Sequence, residues 1–214
     1  MIKAVLWDFG GVITTSPFES FNRFEMENNM PIDFIRGVNA TNPKTNAWAL
    51  FESSRISLEE FDRKFENETR AAGYPVSGKK VLTLLSGDIR PKMVSALKIC
   101  KQHFVVGCIT NNMKLMEGPA MAETDEKAAQ VRAIMEMFDV VVESSKEGIR
   151  KPDPEIYRIA LSRMAVPAEQ TVFLDDLGIN LKPARALGMK TIKVLNETQA
   201  LADLQRITGL NVSS

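Results

Sequence analysis

The feature that most constrains the fold is a series of five short apolar runs rich in β-branched residues. They are IKAVLW from residue 2, FVVGCIT from 104, DVVVES from 139, TVFLDD from 171 and KTIKVL from 190. None alternates strictly between apolar and polar residues, which is typical of parallel strands covered on both faces. Helical patterns lie between the runs, so the sequence predicts βαβ units in an open, doubly wound, Rossmann-like parallel sheet of the α/β class.

Three helical patterns have recognisable ends. PKMVSALKICKQ opens on Pro91, which suits a first helical turn. DPEIYRIALSRMA begins with Asp153 as an N-cap and Pro154 at the first helical position. NLKPARALG closes on Gly188, a residue typical of helix C-termini. These patterns predict helices on either side of the strand runs.

The segment from residue 17 to residue 89 departs from this rhythm. Its patterns FESFNRFEMEN, NAWALFES and SLEEFDRKFENETRAAG space aromatic and leucine residues three or four apart, and it contains no convincing strand. We predict a small helical domain, residues 17–89, inserted into a core formed by residues 1–16 and 90–214. The stripe of phenylalanines with Trp48 is interpreted as the interior of that helical bundle.

Composition excludes several classes of function. Basic and acidic residues number 27 each, so neither a nucleic acid nor an acidic membrane is expected as a partner. The two cysteines, Cys100 and Cys108, predict packing roles and a reducing compartment. No apolar run approaches the ~18 residues of a membrane span, so a soluble, cytoplasmic protein is expected. The single histidine, His103, lies where a helix gives way to a strand, so we expect no histidine-based triad or zinc site.

Polar residues close four of the predicted strands and carry the functional signal. They are Asp8, Thr110 with Asn111 and Asn112, Lys151 in the loop after the third run, and the pair Asp175 and Asp176. Ligands of open α/β sheets bind at the carboxyl ends of the strands, so these side chains are expected to converge. Clustered carboxylates suit Mg²⁺, while a hydroxyl, backbone amides and an ammonium suit phosphoryl oxygens. Each residue alone is also compatible with an ordinary turn or strand role, and only their joint order favours phosphoryl transfer.

In this order, the residues resemble the four motifs of the haloacid dehalogenase superfamily. VVESSKEGIRKPDPEIY and FLDDLGINLKPARALGMKTIKV are similar to the phosphatase domain at the N-terminus of soluble epoxide hydrolase and to the N-terminal segment of acyl-CoA dehydrogenase fusion proteins. The resemblance implies a Rossmann-like core with a helical cap inserted after the first motif.

The resemblance also implies a role for each residue. Asp8 would be the nucleophile that forms an aspartyl-phosphate, and Asp8, Asp176 and the Gly10 carbonyl would bind Mg²⁺. Thr110 and the amide of Asn111 would hold the phosphoryl group, and Lys151 would balance its charge. Asp175 and Asn180 would support the metal site without binding the metal directly.

Gly10 departs from the family pattern, which usually has a second aspartate there as general acid and base. Three interpretations stay open. In the first, the substrate has a good leaving group. In the second, a water, a substrate hydroxyl or a cap residue carries the proton. In the third, turnover has largely been lost. A purely conformational glycine is compatible with all three.

The sequence therefore predicts a Mg²⁺-dependent phosphomonoesterase acting on a small phosphorylated metabolite. The alternative is a low-activity or inert domain that binds a phosphorylated ligand or a protein partner. Dehalogenation is disfavoured because it needs no Mg²⁺ and leaves the acidic pair unexplained. A phosphoacceptor receiver is disfavoured because its acidic pair follows the first strand.

Overall fold

The fold is a five-stranded parallel sheet with helices on both faces. The computed structural model describes residues 1–85, 87–112 and 125–212. The strands are β1 Ala4–Trp7, β2 Val105–Thr110, β3 Val140–Glu143, β4 Thr171–Asp175 and β5 Lys190–Lys193, in the spatial order β3-β2-β1-β4-β5. Each strand lies inside one of the five apolar runs, and β1 pairs in parallel with both β2 and β4. The predicted doubly wound sheet is therefore confirmed.

The described helices follow the chain in two groups. Before β2 lie α1 Pro17–Glu27, α2 Phe34–Ala40, α3 Ala47–Glu52, α4 Leu58–Ala71, α5 Gly78–Thr83 and α6 Pro91–Lys101. After β2 lie α7 Asp125–Met135, α8 Ser144–Glu147, α9 Pro154–Met164, α10 Gly178–Ala186 and α11 Glu197–Thr208. The helix ends predicted from the sequence are confirmed. The Asp153 side chain accepts from the Glu155 amide at the start of α9, and Gly188, just beyond α10, has φ +102°.

The sheet is apolar on both faces because each face is covered by a separate group of helices. Val5 and Trp7 of β1 belong to a cluster with buried residues of α6, α7 and α11. Ala4 and Leu6 belong to a second cluster with α9 and α10. Successive residues of β1 thus point to opposite apolar layers, which explains why the strand runs do not alternate with polar residues.

Helices α1 to α5 enclose a third hydrophobic cluster of their own. Trp48 packs edge-on against Phe61, with ring centroids 5.8 Å apart, and Phe51 stacks on Phe61 at 4.5 Å. The aromatic stripe forms the interior of this bundle, as predicted. We call residues 17–89 the helical insert and the remainder the core; these domain bounds stay a prediction.

The two connections between insert and core pair with each other. Thr14 and Ile89 form an antiparallel bridge, and the Thr15 amide donates to the Asp88 carbonyl at 2.8 Å. The Arg90 amide donates to the Ile13 carbonyl at 2.9 Å. The outgoing and returning chains therefore leave the core at one place, next to the loop that follows β1.

Two further expectations concern the cysteines and membranes. Cys100 and Cys108 are free and buried in the cluster beneath α6. Among the helices of the described ranges, none combines the length and apolar character needed to cross a bilayer.

Candidate active site

The loop after β1 presents a buried carboxylate at the carboxyl end of the central strand. The Asp8 amide donates to the Leu174 carbonyl at 2.8 Å, which extends the pairing of β1 with β4 by one residue. The Asp8 Oδ1 atom accepts from the Phe9 amide at 2.7 Å. Because Phe9 and Ile13 are fully buried, the loop is anchored by apolar side chains while Asp8 keeps 7% of its surface exposed.

Lys151 lies between two carboxylates. Its Nζ atom is 2.7 Å from Asp8 Oδ2 and 2.8 Å from Asp175 Oδ2. Only 1% of the lysine is exposed. Burial alone would lower the pKa of Lys151, but the adjacent charges of Asp175 and Asp8 outweigh it and raise the pKa. The site therefore holds a buried ammonium in its charged form.

Asp175 is fully engaged by protein donors. Its Oδ1 accepts from the Leu177 amide at 2.8 Å, and Asn180 Nδ2 lies 3.1 Å from both of its oxygens. The Asn180 carbonyl in turn accepts from the Tyr157 hydroxyl at 2.7 Å. Asp175 thus contacts Lys151 directly and is itself held by Asn180, while the support of a metal expected from both residues stays a prediction.

Asp176 has fewer protein partners than its neighbour. Its Oδ2 accepts from the Ser16 hydroxyl at 3.1 Å. Burial, with repulsion from Asp175, raises the pKa of Asp176 to about 6. The pKa of Asp8 is also raised, first by burial and then by repulsion from Asp175 and Asp176, against the attraction of Lys151.

These three acids form a set that suits a divalent cation. One carboxylate oxygen each of Asp8, Asp175 and Asp176 lies within 4.8 Å of the others. The Lys151 ammonium balances only part of the negative charge of the three carboxylates. A bound cation would therefore reduce the repulsion between them. Oxygen ligands of this kind are the ones that Mg²⁺ prefers.

The two glycines after Phe9 differ in their surroundings. Gly11 has φ +76°, and a Cβ there would lie 2.3 Å from Asp176 Oδ2, so this position needs glycine. Gly10 has neither constraint, because an added Cβ would meet no atom within 4 Å. The Gly11 carbonyl accepts from Arg90 Nη1 at 2.9 Å, which ties the returning connection to this loop.

The residues after β2 hold the lysine loop in place. Asn111 accepts from the Lys151 amide at 2.9 Å and donates through Nδ2 to the Lys151 carbonyl at 3.1 Å. Thr110, at the end of β2, is 2% exposed, and Asn112 is also buried. The Asn111 side chain is therefore used to hold the lysine loop.

The structure also brings in residues that the sequence did not indicate. Ser16, Tyr157 and Arg90 contact the site or its loop from positions 23 to 160 residues away from their partners. Their local sequence carries no signal of these contacts, since ordinary serine, tyrosine and arginine residues occur on any helix or linker.

Comparison with known proteins identifies the family to which the chain is similar. A family model of haloacid dehalogenase-like hydrolases matches residues 2–188. Acyl-CoA dehydrogenase family member 10 from Mus musculus is 34% identical over 97% of this chain, and bifunctional epoxide hydrolase 2 from Mus musculus is 29% identical over 97%. The chain covers only 19% and 39% of these two relatives.

Two further matches cover nearly the whole of both proteins compared. The sesquiterpene phosphatase astK of Aspergillus oryzae is 23% identical, with 97% of each chain covered. A crystal structure of an enzyme from Bacteroides thetaiotaomicron, in complex with magnesium and inorganic phosphate, has a TM-score of 0.57 at 22% identity, covering 90% of this chain and 93% of its own. With most of its length matched by the family model, this chain belongs to the haloacid dehalogenase-like hydrolases.

Proposed function

We propose that this hydrolase is a Mg²⁺-dependent phosphomonoesterase that acts on a small phosphorylated metabolite through an aspartyl-phosphate on Asp8. The observation that carries the proposal is the position of the Asp8 carboxylate. It lies 2.7 Å from a buried ammonium and within 4.8 Å of two further carboxylates. A relative described as a phosphatase supports the reaction class.

The proposed chemistry has two steps. In the first, a carboxylate oxygen of Asp8 attacks phosphorus, an oxygen–phosphorus bond forms, and the bond to the leaving group breaks, with the electron pair going to the leaving oxygen, which takes a proton from water where it needs one. In the second, water attacks phosphorus, inorganic phosphate leaves, and the Asp8 carboxylate is regenerated. Lys151 offsets charge on both the carboxylate and the phosphoryl group, while the Thr110 hydroxyl and Asn111 amide donate to phosphoryl oxygens.

Asp8, Asp176 and the Gly10 carbonyl would hold the Mg²⁺ ion. When bound, the ion would offset the repulsion between Asp8 and a dianionic substrate. Asp175 is a poor direct ligand because its oxygens already accept from Lys151, Leu177 and Asn180. The magnesium and phosphate bound by the Bacteroides thetaiotaomicron neighbour support this assignment.

Gly10 removes the side chain that usually protonates the leaving group in this family. General acid and base catalysis is worth about 10²–10⁴-fold, or roughly 3–5 kcal/mol of barrier. We therefore expect preference for acyl or anomeric phosphates, whose leaving groups need little protonation. A proton supplied by water, by a substrate hydroxyl or by a residue of the insert would extend the range to alkyl phosphates.

The second candidate is a low-activity domain that binds a phosphorylated ligand or a protein partner. The open space beside Gly10 favours it, since nothing in the described residues occupies the place of the missing acid. A stalled enzyme would release a burst of phosphate and then turn over slowly. An inert binder would not be phosphorylated on Asp8 by any acyl phosphate.

The deciding experiment is phosphate release from a panel of acyl, anomeric and alkyl phosphates, with Mg²⁺ and with a chelator. We expect Mg²⁺-dependent release that Asp8→Asn abolishes. Asp203→Asn, on the outer helix α11, is the matched control and should retain activity. Release that survives in Asp8→Asn, or that ignores chelation, would contradict the proposal.

A further inference from the structure

The end of α3 and the residues just after it contact two segments of the core, the start of α8 and the loop that leads to Lys151. The Ser144 hydroxyl lies 3.1 Å from the Glu52 carbonyl, and the Ser54 hydroxyl donates to the Ser145 carbonyl at 3.2 Å. The Glu52 carboxylate also forms an ion pair with Arg150, with Oε2 and Nε 2.9 Å apart. Two hydrogen bonds and one ion pair therefore join one corner of the helical insert to the core.

The core segments at this corner also support the proposed phosphoryl site. Asn112 donates to Glu143 Oε1 at 2.6 Å, and its Oδ1 accepts from the Ser145 hydroxyl at 2.8 Å. Arg150 immediately precedes Lys151, whose backbone is clamped on both sides by Asn111. The loop that carries the lysine is thus held from the core by Asn111 and from the insert by Glu52.

The Glu52–Arg150 ion pair is partly removed from water, chiefly on the Glu52 side. The Glu52 side chain is 9% exposed and the Arg150 side chain 27%. Within the described residues, Glu52 Oε2 and Arg150 Nε make no hydrogen bond of good geometry, so their contact is an ion pair set by proximity. Removing Arg150 would leave the buried Glu52 carboxylate without this partner, whereas the partly exposed Arg150 guanidinium keeps access to water.

Helix α3 is itself fixed within the insert. The Asn46 side chain accepts from the Ala49 amide and donates to the carbonyls of Asn39 and Thr41. The Ala47 amide donates to Glu68 Oε1 of α4 at 2.8 Å. Trp48 also packs in the aromatic interior, so the backbone that carries Glu52 is anchored to the rest of the insert.

We propose that Glu52 and Arg150 are positioning residues, whose ion pair fixes the helical insert against the lysine loop and thereby sets the position of Lys151 relative to Asp8. The inference rests on the proposed function, because it assigns these residues a part in the same phosphoryl transfer. Neither residue touches the reacting atoms. While the insert contacts the core through this ion pair, the Lys151 ammonium stays at hydrogen-bonding distance from Asp8.

The kinetic test compares Glu52→Gln with Glu147→Gln. Glu147, three residues before Arg150, pairs with Arg163 at 2.7 Å, so its ion pair joins α8 to α9 within the core. We expect Glu52→Gln to lower kcat about tenfold and to change KM less than about threefold, because a misplaced catalytic group slows chemistry more than binding. Glu147→Gln should match the wild type.

A double-mutant cycle tests whether the pair acts as a unit. Arg150→Gln should lose as much kcat as Glu52→Gln, and the double variant should be no worse than either single variant. Independent, additive losses would overturn the inference. Equal kcat in Glu52→Gln and the wild type would overturn it as well.

Hydrogen exchange provides a readout that needs no turnover. In Glu52→Gln, we expect amides of residues 144–151 to exchange about tenfold faster, while those of α4 stay unchanged. Faster exchange throughout α4 would indicate unfolding of the insert and would overturn the inference, as would unchanged exchange at residues 144–151. Absence of phosphate release by the wild type would instead contradict the proposed function, and exchange alone would then decide whether the pair couples insert and loop.

Discussion

At the scale of single residues, the adjacent glycines after Phe9 have different physical origins. Gly11 is required by its positive φ and by the 2.3 Å approach to Asp176. Gly10 is not required by space or by φ, so its purely conformational interpretation loses its support. The following substitution tests whether the absence of an acid at this position limits the reaction.

Gly10→Asp should increase turnover of alkyl phosphates by about 10²-fold, because it returns a proton donor to the leaving group. Turnover of acyl phosphates should change little, since their leaving groups need no proton. The measurement is kcat for both substrate classes. Gly10→Asn, which has the same size and no acidic proton, is the matched control, and an equal gain in Gly10→Asn would contradict the acid interpretation.

Asp176→Asn should stabilise the protein in the absence of metal by about 1–2 kcal/mol. Burial and Asp175 raise the pKa of Asp176 to about 6, so its ionised form at pH 7 costs free energy that a neutral amide avoids. Urea unfolding in chelator measures the gain, and added Mg²⁺ should stabilise the wild type only.

Asp203→Asn is the opposite case for comparison. Hydrogen bonds from Arg206 and Gln199 lower the pKa of Asp203, so its ionised form is favoured and neutralisation should give no gain. Stabilisation of both variants alike, or of neither, would contradict the electrostatic account of Asp176.

At the scale of elements, the sequence identified each strand of the described sheet but not every helix. Buried parallel strands are rich in apolar residues, so β1, β2 and β4 have strong local signals, whereas the edge strand β5 has a weaker one because Lys190 and Lys193 are exposed. Helix α7, DEKAAQVRAIM, buries only Val131 and Ile134 among its apolar residues, and α2 contains Gly37, so their patterns are weak. The grouping of Asp8, Lys151 and Asp176 was predictable because parallel strands end at one edge.

Side-chain contacts between elements could not be predicted from the sequence by any comparable rule. Ser16 with Asp176, and Glu52 with Arg150, join residues about 160 and 100 positions apart, and either partner would fit a solvated surface equally well. Tertiary packing, not local pattern, decides these pairs.

The tie between Arg90 and the loop after β1 should be important for both stability and rate. Arg90→Met removes the 2.9 Å hydrogen bond to the Gly11 carbonyl, and hydrogen bonds from charged groups contribute about 1.5–3 kcal/mol. We expect urea unfolding to reveal a loss of that order, together with a lower kcat. Arg158→Met, whose partner Glu155 lies on the same exposed face of α9, should alter neither, and equal effects in the two variants would argue against the tie.

At the scale of the whole molecule, two hydrophobic layers enclose the sheet and a third fills the helical insert. Insert and core meet at two described places, the paired connections near Thr14 and the corner near Glu52. Both places adjoin loops that support the acids or the lysine. The position of the insert is therefore coupled to the geometry of the site, although its own core is independent.

The two cysteines report on the integrity of the core as a whole. Burial raises the pKa of Cys100 to about 12, and burial with the charge of Asp8 raises the pKa of Cys108 further. Neither thiol is exposed, so neither should react with an aromatic disulfide reagent at pH 8 in the native protein, whereas denaturation should release both.

The same shifts predict how stability changes with pH. In the unfolded chain, a thiol loses its proton near pH 9, but the folded Cys100 keeps it until about pH 12, so stability present below pH 9 is lost as pH rises towards 12. The free energy of unfolding should fall by up to about 1.4 kcal/mol per pH unit for each thiol. Cys100→Ala should remove one thiol's share of this decline in the free energy of unfolding between pH 9 and 11, and should leave the pH dependence unchanged at pH 7. An identical slope in the variant and the wild type would mean that Cys100 is not buried in the folded core.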